Sequence, residues 1–445
     1  MAVVNIEEGS PEAEQVLWKF LGLKMIAYRR EGDGQFVGTG LLNPLFDKLG
    51  LFTMLVSQAR FYKKYTDLAR WRGKRVANPF APPVGSRPQL RAMKALLKKY
   101  LLGKVDPLAM TYAVTYRCQC NCGHCSAARF VRGDTPELST DEAKDLIDAS
   151  QDLGICILAF TGGEPLLRPD IFDLIAHVNQ RKAMPILFSN GLLLTQENVE
   201  RLVDAGLYTL FLSLDSPSAE EHDRLRGIPG LFDRAIEGAL KLKSKGVLLG
   251  ISSYASRTGT SRGDYRALYE VAQQIGAHTV LLFDDVPTGR QLTNTSEMLT
   301  DGQRAEILAY TREIFERKGV PSLSSQVWQN SIEGCLSGIG CLAGNIQYYV
   351  TAYGEVTPCD FTPLSFGNVR SSSLKQIWRG LVAHPAYRHA SHICRMQHPD
   401  FRRCYVDAIP ENASLPYCVG NLPCVDYRSQ HAPRMERSSL LSKGV

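Results

Sequence analysis

Between Leu108 and Pro287 six short apolar runs alternate with amphipathic stretches, and this alternation narrows the fold more than any other feature of the chain. "AMTYAVTY" is followed by a helical pattern over 139–153, "ICILAFTG" by one over 170–182 and "MPILFSN" by one over 195–205. "YTLFLSLD" precedes a helix over 231–246, "VLLGISSYA" one over 263–275, and "TVLLFDDVP" closes the series. Runs that are apolar throughout, rather than at every second position, belong to strands covered on both faces, as in a parallel sheet flanked by helices. Right-handed strand–helix units of this kind build an open doubly wound sheet or a full or partial barrel, and periodicity does not choose between them. Residues 300–318 read as one more helix, 335–424 as a cysteine-rich, helix-poor module, and the polar tail after 430 as loose.

A chain of 445 residues with 44% hydrophobic and 22% charged residues is an ordinary globular composition for two or three domains. The start, MAVVNIEEGSPEAEQ, lacks the basic and apolar regions of a secretion signal, and no apolar run approaches the roughly 18–20 residues of a membrane span. A cytoplasmic location follows as the expectation. In that reducing compartment closely spaced cysteines bind metal or do chemistry more often than they form disulfides. The 12 cysteines are unevenly placed: four in 118–125, one at 156, and seven from 335 to 424.

The net charge of +6 is concentrated in the N-terminal part. From Leu55 to Val105 thirteen Lys and Arg face one acid, Asp67. Residues 11–31 read as helical and then extended, 44–72 as a long or broken helix, and 77–88, with four prolines, as a linker. In the helix expected over 89–103, Leu90, Met93, Leu97, Tyr100 and Leu101 share one face and Arg91, Lys94 and Lys98 another. Such a segment suits an anionic membrane surface, an acidic substrate, or a solvated arm packed on the main domain. It matches no nucleic-acid-binding module, and no nucleic-acid partner is expected.

Cys118, Cys122 and Cys125 form C-x3-C-x2-C on the loop leaving the first strand. Three thiolates there can grip three corners of a cubane and leave one iron open, whereas iron–sulfur clusters are normally held by four. Zinc and simple redox thiols are the alternatives at this level. The second strand ends in "TGGEP", 161–165, where the glycines allow close backbone approach and Glu164 offers a carboxylate for an ammonium group; an ordinary strand–helix turn is the plainer alternative. Cys156 and Cys335 read as packing thiols.

Taken together, C-x3-C-x2-C after strand one, GGEP after strand two, "FSNGLLL" (188–194), "SLDS" (213–216), "HDRLRGIPGLFDRAIEGAL" (222–240) and "VPTGR" (286–290) resemble the radical S-adenosylmethionine (radical SAM) superfamily over roughly 110–290. The residue before the third cysteine, usually aromatic there, is His124, and Cys120 lies outside the pattern. The resemblance implies a [4Fe–4S] cluster on Cys118, Cys122 and Cys125 whose open iron is chelated by S-adenosylmethionine. It implies contacts to the methionyl amine from Gly162, Gly163 and Glu164 within the GGEP turn that ends at Pro165, and ribose or carboxylate contacts from Ser189, Asn190, Ser213 and Asp215.

Further on, Cys341-x12-Gly354-x4-Cys359, a "YGEV" hairpin turn and "FGNVRSSSLKQIW" resemble the SPASM/twitch extension that binds auxiliary iron–sulfur clusters. The C-x2-C-x5-C-x3-C run of a two-cluster SPASM domain is missing, so one auxiliary cluster is expected, on Cys341, Cys359, Cys394 and Cys404, with Cys418 an alternative fourth ligand.

The expected fold is therefore α/β: a partial (β/α)6 TIM-type barrel over 108–299, a connecting helix in 300–334, an auxiliary-cluster domain over 335–430, and a basic helical extension over 1–107. The expected activity is reductive cleavage of S-adenosylmethionine to a 5′-deoxyadenosyl radical that takes a hydrogen atom from a peptide, a tetrapyrrole or another small molecule. A flavodoxin or ferredoxin is the expected electron donor. Two alternatives stand beside it: a lipid or isoprenoid substrate reached by peripheral membrane contact through 44–104, and a zinc-binding interaction protein in which both cysteine groups are structural.

Overall fold

The computed structural model describes the backbone of residues 14–20 and 23–28, and residues 68–427 apart from 104, 134, 332–339, 390, 392 and 426. The expected helix over 44–67, Cys335 and the tail beyond 430 lie outside the described residues. Two antiparallel strands open the chain, β1 (Glu14–Phe20) and β2 (Leu23–Tyr28), so the start of 11–31 is extended and not helical. A second hairpin, β3 (Ala69–Trp71) and β4 (Lys74–Val76), replaces the end of the helix expected to reach residue 72. Its two turn residues, Arg72 (φ 47°) and Gly73 (φ 78°), both have positive φ, which splits a helix and suits a tight hairpin. Helix α1 (Arg87–Leu102) follows, capped by Ser86.

The barrel units come next: β5 (Ala109–Thr115), α2 (Thr140–Leu153), β6 (Ile157–Gly162), α3 (Ile171–His177), β7 (Met184–Ser189), α4 (Gln196–Asp204) and β8 (Thr209–Ser213). They continue through α5 (Ala219–Arg226), α6 (Leu231–Ser244), β9 (Leu248–Ala255), α7 (Arg257–Arg262), α8 (Asp264–Gln274) and β10 (Thr279–Asp284). Helix α9 (Asp301–Glu316) leads to β11 (Ser322–Ser325). Local signals start these helices where the sequence placed them. Ser139 and Glu142 form a capping box on α2, Thr300 and Gln303 another on α9, and Thr195 caps α4.

The C-terminal module contributes β12 (Gln347–Val350), β13 (Val356–Thr357), β14 (Leu364–Ser365), α10 (Leu374–Ala383) and β15 (Tyr417–Cys418). One nine-stranded sheet has the order β11-β10-β9-β8-β7-β6-β5-β12-β13, parallel everywhere except β12–β13. Its two end strands are not bonded to each other, which makes the barrel partial. Strand β12 pairs in parallel with β5, Gln347 opposite Ala109 and Val350 opposite Tyr112. The auxiliary module is thus part of the main sheet. Trp378 of α10 strengthens the join by donating to the Val105 carbonyl (2.9 Å) and packing on Tyr348.

Alternate residues of each strand face opposite ways. Met110, Tyr112, Phe160, Leu187, Leu210 and Ile251 pack outward against the helices. Ile157, Ala159, Ile186, Phe211 and Leu281 form an inner cluster with Val76. The proline-rich stretch 77–88, expected as a linker, instead closes the N-terminal end of the barrel. Phe80 meets Phe211 (5.7 Å between ring centres) and Phe188 (6.4 Å). The carbonyls of Pro79 and Ala81 accept from Thr209 Oγ1 (3.0 Å) and Tyr208 Oη (2.9 Å). Proline carries no N–H of its own, so such a segment can lie against a sheet end with only carbonyls to satisfy.

Candidate active site

The C-terminal ends of the strands carry the chemistry. The loop leaving β5 is held from two sides. Gly163 and Glu164 donate their N–H groups to the carbonyls of Thr115 (2.7 Å) and Arg117 (2.9 Å), extending the β5–β6 pairing onto the loop. A Cβ at Gly162 would lie 2.1 Å from the Thr115 oxygen and one at Gly163 2.2 Å from the Arg117 oxygen. The GG pair is therefore required for backbone against backbone, a different reason from the ligand approach expected of it. On the other side Gly289 (φ 53°) leaves room for the Cys125 carbonyl, 2.1 Å from its would-be Cβ. Arg290 donates from its backbone to the same oxygen and from its guanidinium to the Asn121 carbonyl (3.3 Å).

Four thiols gather here. Cys120 hydrogen-bonds to both Cys118 and Cys122, and Cys125 lies close enough to feel both of the latter. The hydrogen bond from Cys120 brings Cys118 down to about 6 and lowers Cys122, while Cys120 itself is raised by those two bonds. Burial raises Cys125. The Arg226 guanidinium also favours the Cys118 and Cys122 thiolates. It is fixed by Asp215 through Nε–Oδ2 (2.5 Å) and Nη2–Oδ1 (2.8 Å), and its own carbonyl accepts from Asn121 N–H (3.0 Å). Asn190 Nδ2 reaches Cys120 Sγ (3.4 Å) and Gln119 Oε1 (3.3 Å).

The residues expected to contact the cofactor have partners of their own. The Glu164 carboxylate is fully buried, near Cys118, and accepts from Ser189 Oγ (2.9 Å), Asn190 N–H (2.9 Å) and Leu166 N–H (3.2 Å). Burial outweighs these bonds and pushes it up to about 7. Ser189 is engaged by the same bond, and Pro165 is buried in the turn Pro165–Leu167. Asp215 is held by Arg226 and approached by His124 Nε2 (3.5 Å). Ser213, half-buried at the end of β8, keeps its place on the inner face. His124 stacks on Tyr254 (4.3 Å between ring centres), and burial lowers its pKa, so the ring is neutral at neutral pH.

A second thiol group lies across the same mouth. Cys341, Cys359 and Cys394 influence one another electrostatically, and burial raises Cys359 to about 12 and pushes Cys394 well above the usual thiol range. Arg395, 2% exposed, is braced by the carbonyls of Ala386 and His389 and also bonds Cys341. Cys404, on the helical turn Arg402–Val406, packs in the same cluster as Cys341, Cys359 and Cys394, with Arg403 and Asp400 near its thiol. Cys418 and Cys424 are exposed, the latter 3.8 Å from His384 Nε2. Cys156 is a packing thiol bonded to the Leu108 carbonyl (3.3 Å), as expected.

Between the two groups a buried pair, Tyr116 and Tyr349, shares a hydrogen bond (3.1 Å). Tyr349 lies within electrostatic reach of Cys125 and Asp360, and Cys125, Cys341 and Cys359 pack against the cluster that contains this tyrosine pair.

The donor sets fit iron–sulfur clusters: all-sulfur, partly buried, each beside a buried guanidinium that offsets thiolate charge. Among the described residues no three His, Cys, Asp or Glu side chains close on one point as around a single ion. A cubane, with an iron at each of four corners, asks instead for sulfurs spread around a larger body. Arg226, Tyr349, Asp285 and Asp360 were missed from the sequence. Arg226 and Asp285 stood in quoted stretches, but nothing there indicated that α5 ends against the cysteine loop or that Asp285 turns inward.

A family model described as the radical SAM superfamily matches residues 112–254, and one described as an iron–sulfur cluster-binding domain (SPASM) matches 341–406. An AdoMet-dependent heme synthase of Nitratidesulfovibrio vulgaris is 30% identical over 288 residues, covering 61% of this chain and 78% of the relative. A PqqA peptide cyclase of Granulibacter bethesdensis is 28% identical over 291 residues, covering 63% and 76%. Among solved structures, native anSMEcpe with bound AdoMet matches with a TM-score of 0.51 at 18% identity, over 73% of this chain and 94% of that one.

Proposed function

The chain belongs to the radical SAM superfamily and carries a SPASM domain, and from that premise we propose that it oxidises a peptide or a tetrapyrrole held between two iron–sulfur centres. It is an enzyme of the α/β radical SAM class, and its cofactors are a [4Fe–4S] cluster, S-adenosylmethionine and auxiliary iron–sulfur. Bound there, the cluster and S-adenosylmethionine supply a 5′-deoxyadenosyl radical that takes a hydrogen atom from substrate.

The chain's own residues have distinct tasks in this reading. Cys118, Cys122 and Cys125 hold the first cluster, with the single S–H of Cys120 shared between Cys118 and Cys122. Arg226 offsets the cluster's negative charge, and Glu164, through Ser189 and Asn190, fixes the loop that faces it. Cys341, Cys359 and Cys394 hold the auxiliary cluster. The observation that carries the reading is the placement of both thiol groups around one barrel mouth, bridged by Tyr116 and Tyr349. The substrate class is drawn from the relatives, whose names are those of a heme synthase and a peptide cyclase. A flavodoxin or ferredoxin is the proposed reductant.

Anaerobically reconstituted protein is expected to carry about eight irons per chain and to form 5′-deoxyadenosine on reduction. Cys341→Ala is expected to keep that cleavage and lose at least tenfold in product. A colourless, zinc-loaded chain that leaves S-adenosylmethionine intact would overturn the reading.

A second reading concerns where the enzyme works. Helix α1 turns Ala95 to the barrel and leaves Leu90 (59%), Met93 (47%) and Leu102 (64%) exposed, beside Arg87 and Lys94. We propose that this stripe rests on anionic membrane. No helix among the described residues is long and apolar enough to cross one. Flotation with anionic but not neutral vesicles, abolished by Leu90→Glu with Met93→Glu, is the expected outcome; equal recovery with both lipids would refute it.

A further inference from the structure

The consecutive acids that end "TVLLFDD" have opposite fates. Asp284 faces outward, 3% exposed, and is paired with Arg304 Nη1 (2.7 Å) and Gln397. Asp285 follows on the inner face, in step with Leu281 and Phe283 of the barrel interior. Its backbone is fixed: the N–H donates to the Ala255 carbonyl (3.0 Å) and the carbonyl accepts from Gln397 (3.3 Å). The residue is 7% exposed, and its side chain has no hydrogen bond or ion pair among the described residues. A carboxylate so far removed from water is ordinarily paired. Burial and the nearby Glu297 and Asp284 push it up to about 6, which still leaves it mainly ionised at neutral pH.

Its surroundings say what could pair with it. Tyr254, whose ring packs at a tilt on His124 of the cysteine loop, is within electrostatic reach of both Asp285 and Asp215. The opposing loop brings Phe361 against Phe283 (5.8 Å between ring centres), and the Phe361 carbonyl accepts from Thr288 (2.7 Å). Asp360 immediately precedes Phe361, and its carboxylate accepts only from its own backbone N–H. The neighbouring guanidinium groups are committed elsewhere. Arg226 serves Asp215, Arg304 serves Asp284, and Arg402 serves the carbonyls of Pro287, Met396 and Leu292. The mouth therefore holds negative charge that the protein does not balance.

We infer that Asp285 is a substrate anchor that pairs with a cationic group, an ammonium or guanidinium, on the molecule held in the barrel mouth. This rests on the reading that the mouth holds the substrate, and it narrows the class. A peptide bearing a lysine or arginine side chain supplies the missing charge. A porphyrin presenting carboxylates to this face is repelled.

The test uses reconstituted holoenzyme with S-adenosylmethionine and three probes: N-acetyl-lysine methylamide, agmatine and N-acetyl-glutamate methylamide. The two cations are expected to bind the natural chain at least tenfold more tightly than the glutamate probe. Asp285→Asn, at unchanged iron content, is expected to lose that tenfold preference, and Asp285→Glu to regain part of it. Should Asp285→Asn fail to fold, relaxation of probe protons by the reduced clusters answers in the natural chain: the lysine ε-methylene broadens more than the acetyl methyl. Equal binding of all three probes, preference for the glutamate probe, or stronger broadening of the acetyl group overturns the inference. A chain that cleaves S-adenosylmethionine yet gives one of those results loses only this inference; one that never cleaves it loses the parent reading.

Discussion

Arg226 and Asp215 form an ion pair almost without solvent, and the geometry around it says how the site depends on pH. Burial works against the Asp215 anion, but the Arg226 charge and its hydrogen bonds outweigh that and bring the carboxyl down to about 2, against roughly 3.9 in an unfolded chain. A carboxyl depressed on folding adds stability that is complete above the unfolded value and disappears as pH falls through the folded one. The stability gap between the natural chain and Asp215→Asn, read by denaturant titration, is therefore expected to be widest above about pH 4 and to close toward pH 2. At pH 7 Asp215→Ala is expected to cost about 3–5 kcal/mol, because it strands a buried guanidinium. Part of this was legible in the sequence. Cys118, Cys122 and Cys125 declare themselves by spacing, and the structure gathers their sulfurs. Glu164 and Asp215 were assigned to ligands because a sequence offers acids without their partners. Ser189, Asn190 and Arg226 become those partners only after β7 and α5 are set beside the cysteine loop.

At the scale of elements, the strands and helices of 108–318 follow from apolar runs and caps, and their limits fall within a few residues of expectation except in α3, which ends at His177 rather than 182. The extension was read less well. The basic stretch 69–72 was read as the end of a helix, yet the Arg72–Gly73 turn and the packing of Trp71 on Tyr208 (5.2 Å between ring centres) make 69–76 a hairpin. Prolines in 77–88 suggested a linker because composition does not reveal a Phe80 ring seated in a barrel end. The loops that clasp the cysteines tolerate no added atoms. Gly289→Ala would set a methyl group against the Cys125 carbonyl at a positive φ. It is expected to lose about 1–3 kcal/mol and to release iron from the first site faster than from the second, followed by iron chelation at constant temperature.

For the molecule as a whole, β12 decides what can be separated. The sequence suggested a barrel over 108–299 and a distinct module from 335, since parallel pairing between distant segments leaves no local signature. In the structure, the module supplies the strand that covers β5. Truncation after residue 331 is expected to yield aggregated protein rather than a soluble barrel, seen by size-exclusion chromatography, because it bares the backbone edge of β5. The same pairing has a consequence during synthesis. Tyr112 waits for Val350, 238 residues later, which at roughly 5–20 residues per second is about 10–50 s of translation. For the later part of that interval the thiols at 118–125 are outside the ribosome while the strand that finishes their shelter has not yet been made. Oxygen and adventitious ions then have their freest access to the nascent chain, and the supply of iron must compete with both.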